Sequence, residues 1–77
     1  MRLEIKFSLD QYRDYHVPTG GFLRRVLENN LFDAFARADE GNQQDMLEIV
    51  KYIWNNFPVG IYGTPEEVKD WLERGRQ

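Results

Sequence analysis

The chain reads as a mainly α-helical single domain of four or five short helices with a minor N-terminal β-strand. Three observations carry that reading. Met46, Ile49, Val50, Ile53, Trp54 and Phe57 recur at i, +3, +4, +7, +8 and +11, the spacing of one helix face. Helix-start chemistry recurs along the chain and is clearest at Thr64-Pro65-Glu66-Glu67: an N-cap Thr, Pro at the first helical position and Glu at the third. Only two stretches, Leu3–Phe7 and residues 59–62, look like strand.

Taken in order, residues 1–7 alternate charged Arg2, Glu4 and Lys6 with apolar Leu3, Ile5 and Phe7, the period of a half-buried strand or extended arm. A lone strand leaves its backbone unpaired, so residues 59–62 or a second copy are the expected partners. Ser8-Leu9-Asp10-Gln11 fits a capping box, which predicts a short helix to about Tyr15 carrying Leu9 and Tyr12 inward. Pro18 ends it, since the residue before proline is pushed out of the helical region. From Phe22, residues Leu23, Val26, Leu27, Leu31, Phe35 and Ala38 follow helical steps. Asn29-Asn30 interrupts that stretch. Either one long helix runs through it, or Asn30 caps a second helix with Asp33 at its third position; the break is favoured. Gly41 is the expected left-handed cap that closes this segment, and Asn42 the expected cap of the core helix that ends at Phe57-Pro58. The last helix buries Val68, Trp71 and Leu72, and Gly75 stops it. No linker or repeat appears, so residues 1–77 form one domain.

Composition narrows the function classes. The 77 residues hold ten Lys+Arg, thirteen Asp+Glu, one His and no Cys, for a net charge of -3. Without cysteine there is no disulfide and no thiolate site, and one histidine supplies few metal ligands. The sequence therefore predicts no cofactor and no metal. An acidic balance with well-mixed signs argues against a dedicated nucleic-acid binder, which carries a basic patch. No apolar run approaches a membrane span, and the charged N-terminal alternation is not a signal peptide, so a cytoplasmic location is expected. A core this small supplies few kcal/mol on its own, which makes a homodimer a further expectation.

Three constellations are candidates. His16, the single histidine, lies near Tyr12, Asp14 and Tyr15 and is the one residue of a type suited to general acid–base work near neutral pH. The sequence supplies no nucleophile or oxyanion site beside it, so a helix-terminal histidine bonded to a backbone carbonyl is the plainer reading, and no catalytic residue is assigned. Gly20 and Gly21 before Arg24 and Arg25 are the best anion-binding or nucleic-acid-binding candidate, because a glycine-led helix start exposes free N–H groups. The lysine of a phosphate-binding P-loop and the third glycine of a dinucleotide fingerprint are both missing. The competing account is a tight turn that seats Phe22. Finally, aromatics cluster in the last third. Tyr52 falls off the core stripe, and Tyr52 and Tyr62 beside Lys51 and Lys69 are the protein-interaction candidates.

The run His16-Val17-Pro18-Thr19-Gly20-Gly21-Phe22-Leu23-Arg24-Arg25-Val26-Leu27-Glu28-Asn29-Asn30-Leu31 resembles a family of short proteins of bacteriophages and prophages. Ala36-Arg37-Ala38-Asp39-Glu40-Gly41-Asn42 and Gly63-Thr64-Pro65-Glu66 before Trp71 belong to the same pattern. The likeness covers roughly residues 12–74. It departs at Asn30, where the family often carries Asp, and at Thr19, where a second Pro is common. The resemblance implies no activity; it implies a phage setting and an accessory role. Together these features predict a small non-enzymatic accessory protein that binds a protein of host or phage origin. The alternative is a weak nucleic-acid or phosphate binder using Gly20, Gly21, Arg24 and Arg25.

Overall fold

A computed structural model describes residues 1–76. Among the described residues six helices follow one another: α1 (Leu3–Tyr15), α2 (Gly21–Leu27), α3 (Leu31–Arg37), α4 (Glu40–Gln44), α5 (Met46–Asn56) and α6 (Pro65–Arg74). The mainly helical class is as the sequence predicts, and the radius of gyration, 11.5 Å, is that of a single small domain.

The N-terminal strand is not there. Leu3–Phe7 forms the first turns of α1, and residues 59–62 form turns rather than a partner strand. The reason lies in the longer phase. Ile5, Leu9 and Tyr12 stand at i, +4 and +7; Leu9 and Tyr12 are fully buried and Ile5 packs against them. A helix also satisfies its own backbone, which a lone strand cannot. Leu3 and Phe7, counted inward by the alternation, are exposed. Ser8 consequently sits inside the helix instead of capping it, and Lys6 makes an i,i+4 bond to Asp10 at 2.8 Å. The helix ends where expected. His16 adopts the left-handed conformation, φ 58°, and its N–H reaches the Tyr12 carbonyl.

The break at Asn29-Asn30 is real. Asn29 is left-handed at φ 64°, and the N–H groups of Asn29 and Asn30 return to the carbonyls of Val26 and Arg25, a Schellman ending for α2. Asn30 then caps α3 by accepting from the Asp33 N–H. The next junction differs from expectation. Gly41 is helical rather than a left-handed cap, and Asn42 lies within α4 rather than capping the core helix. Asp39 does the capping: its carboxylate accepts from the Asn42 N–H at 2.8 Å and also binds Arg2. This separate turn raises the helix number to six.

The core gathers Leu9 and Tyr12 of α1, Leu23, Val26 and Leu27 of α2, Ala34 of α3, Ile49 and Ile53 of α5, Phe57, Ile61, and Val68 of α6. Tyr12 ties it to the 57–63 turn: its hydroxyl donates to the Ile61 carbonyl at 2.5 Å, and its ring stacks on Phe57 at 6.2 Å. Burial raises the Tyr12 pKa. Gly63, at φ 116°, lets the chain turn so that its N–H donates to the Leu27 carbonyl at 2.7 Å. Thr64, Pro65 and Glu67 start α6 as the sequence predicts, with the Thr64 hydroxyl accepting from the Glu67 N–H at 3.1 Å.

Trp54 is the largest departure. It belongs to the sequence-predicted core stripe but is 74% exposed, while its neighbour Ile53 is 4% exposed. Ile49, Ile53 and Phe57, four apart, point α5 into the core, which turns Trp54 a quarter-turn outward. Leu31 and Phe35, also expected inside, are exposed on α3, whose one buried residue is Ala34.

Candidate interaction surface

Those three misplaced residues share a surface. With Ala34 turned inward, Phe32 stands opposite it on α3, 95% exposed, and Leu31 and Phe35 lie on the flank between them, Phe35 51% exposed. On α5, Leu47 and Trp54 stand seven apart, two turns along one outer line, with Val50 between them and the core. The two helices frame a cleft of about 260 Å³ lined by Val26, Asn29, Leu31, Val50, Ile53, Trp54 and Tyr62. A second hollow of about 310 Å³ lies against Leu31, Phe32, Phe35 and Met46. Leu31 lines both, so they form one continuous apolar surface, and no charged side chain lines either. Dispersed apolar side chains are ordinary on a protein surface; here the exposed apolar side chains lie together.

The four sequence candidates for protein interaction divide between this surface and other places. Tyr62 lines the cleft and meets Phe57 edge-on at 6.4 Å. Lys51 is exposed on α5, one turn from both Leu47 and Trp54. Tyr52 is half-buried and committed elsewhere. Its hydroxyl donates to Asp10, its ring meets Phe57 edge-on at 6.4 Å, and Lys6 Nζ lies 5.5 Å from the ring centroid. Tyr52 therefore locks α1 onto α5. Lys69 is on α6, where its Nζ is 4.0 Å from Glu73 beside Arg24 and Arg76. The sequence reading missed Phe32 and Leu47 and placed Leu31, Phe35 and Trp54 inside.

Gly20 and Gly21 do open α2, but Arg24 and Arg25 point into a carboxylate network. Arg24 Nε donates to Glu28 at 3.1 Å, and Arg25 donates to Glu28 at 2.8 Å and to Asp33 at 2.7 Å. Arg37 joins at Asp33, 3.1 Å away. Glu28 is buried. Burial pushes its carboxyl up, and the hydrogen bonds and charges of the two arginines outweigh this, holding it below the usual range. Hydrogen bonds from Arg37 likewise lower Asp33. The Arg25–Asp33 bond ties α2 to α3.

His16 stacks on Trp71, with ring centroids 3.8 Å apart. Its Nδ1 lies 2.7 Å from the Trp71 carbonyl, a geometry that places the proton on Nδ1, and Trp71 Nε1 donates to the Tyr12 carbonyl at 2.7 Å. These bonds join the end of α1 to α6. Gly75 is required there, because a Cβ at that position would stand 2.4 Å from the His16 Cβ. Among the described residues, no cluster of three or more Asp, Glu, His or Cys could hold a metal ion, and no helix is long and apolar enough to cross a membrane. Comparison with protein-family models, curated proteins and solved structures returned no match.

Proposed function

We propose that this chain is a small non-enzymatic interaction domain that docks a protein through the α3–α5 surface. The supporting observation is the continuous apolar face at Leu31, Phe32, Phe35, Leu47 and Trp54, uncharged where it forms its clefts. Aromatic anchors that become desolvated in pockets are the usual energetic centre of an interface. The resemblance to phage proteins directs the search to host and phage proteins. The test is affinity capture with wild type, Phe32→Glu and Trp54→Ala side by side, from lysate that also holds an untagged copy of this chain. A partner held by wild type and lost from both variants supports the reading. A set of captured proteins that is identical for all three refutes it. The anion-binding alternative is the weaker one, since the Glu28 carboxylate already pairs with both Arg24 and Arg25, and Asp33 with Arg25, so carboxylates offset the positive charge at that helix.

A further inference from the structure

The apolar face carries both halves of an interface, and from this we infer that its occupant is a second copy of this chain, packed face to face about a two-fold axis. The inference rests on reading that face as a docking surface and names what docks there. A two-fold contact uses the same patch twice, so the patch must hold a projection and a recess that fit each other. Phe32 is the projection, standing almost wholly in solvent at 95% exposure. The cleft between α3 and α5 is the recess. Its volume of about 260 Å³ exceeds the roughly 150 Å³ in which a buried apolar cavity takes up benzene, and its walls at Val26, Val50, Ile53 and Trp54 are apolar. Leu31 belongs to both hollows, so projection and recess are neighbours on one surface.

Area and charge agree. At roughly 200 Å² for a fully exposed aromatic side chain, Phe32, Phe35 and Trp54 together present about 450 Å². Leu31 and Leu47 bring the patch to on the order of 650 Å², close to the roughly 800 Å² per partner of a standard stable interface. Two copies would bring equal, uncharged centres together, so no like charges are desolvated against each other there. Arg25, bonded to Asp33, joins α3 to α2 behind this contact.

Sedimentation velocity on the full chain, from about 1 µM to 500 µM, tests the inference. Wild type should shift from monomer to dimer within that range. Phe32→Glu should weaken the dimer at least a hundredfold, since it puts two carboxylates into apolar recesses. Its exposure means that the fold should survive, which circular dichroism verifies. Phe7→Glu, on the exposed outer face of α1, should leave the dimer constant within about twofold. A wild-type monomer at every concentration overturns the inference, as does a dimer that Phe32→Glu leaves intact. A wild-type monomer that still loses its captured partner on Phe32→Glu would overturn the self-association alone and leave the proposed function standing.

Discussion

Ile53 and Trp54 are adjacent in sequence and opposite in environment, and alanine at each position measures that difference. Ile53 is 4% exposed among Ile49, Phe57 and the rest of the core. Ile53→Ala should cost about 2–5 kcal/mol, the transfer of its methyl groups plus the cavity left behind. Trp54 is 74% exposed, so about a quarter of its surface is covered. That is roughly 60 Å², or about 1.5 kcal/mol at 25 cal/mol per Å², an upper bound because the unfolded chain also covers some of it. Alanine returns about half a kcal/mol through its better helix propensity. The net loss for Trp54→Ala should be about 1 kcal/mol or less, a fall of no more than about 4–8 °C in Tm for a domain of this size. The assay is thermal and urea unfolding followed by circular dichroism, which does not depend on the tryptophan removed. A chain concentration of about 1 µM keeps self-association from adding stability to wild type alone. A Trp54→Ala variant that falls as far as Ile53→Ala would put Trp54 in the core and dissolve the α3–α5 surface.

Three further outcomes follow from the same contacts. Tyr12→Phe keeps the ring but strands the buried Ile61 carbonyl, so Tm should fall by about 5–15 °C, corresponding to a cost of about 1–2 kcal/mol; a shift within the error of the melt would mean that this hydrogen bond contributes nothing. Thr64→Ala removes the cap of α6 and should cost about 1 kcal/mol in urea melts, with Thr64→Ser restoring most of it, whereas equal loss in both would count against capping as the cause. Because the Glu28 carboxyl titrates lower in the folded chain than in the unfolded one, its stabilisation is present above about pH 4.3 and disappears as pH falls through the lower folded value. Wild type should therefore be more stable than Glu28→Gln at pH 7, with the gap closing on acidification towards pH 3; a gap that is constant with pH would contradict the pairing with Arg24 and Arg25.

What the sequence revealed was local chemistry. Thr64-Pro65-Glu66-Glu67 starts α6, and Asn30 with Asp33 starts α3, because a cap needs only residues within one turn of each other. The orientation of α5 was not legible in the same way. Its apolar residues fall on two overlapping lines, Met46-Ile49-Val50-Ile53-Phe57 and Leu47-Val50-Trp54, and both have helical spacing. Which line faces inward depends on α1 and the 57–63 turn, where Tyr12 and Tyr52 meet Phe57. The N-terminal segment misled for a related reason. Five residues of alternation fit a strand, and only the continuation through Leu9 to Tyr12 discriminates in favour of a helix. The site was half visible. Lys51 and Tyr62 adjoin the face, but Leu31, Phe35 and Trp54 follow core spacing in the sequence, and Phe32 and Leu47 fall on no stripe that singles them out. The partners of Arg24 and Arg25 could have been read: Glu28 stands four and three residues beyond them, the spacing of helical ion pairs.

The central claim is that the α3–α5 apolar face lies outside the core of one chain and inside a contact between chains. Carbene footprinting with mass spectrometry, performed on the folded protein across a dilution series, reads both halves at once. Phe32, Phe35 and Trp54 should label heavily at about 1 µM and become protected as concentration rises, while Ile53 and Leu27 stay unlabelled throughout. Protection of Phe32 and Trp54 at every concentration would place them within the fold, and labelling that never diminishes would leave the face without a second copy; either result contradicts the account.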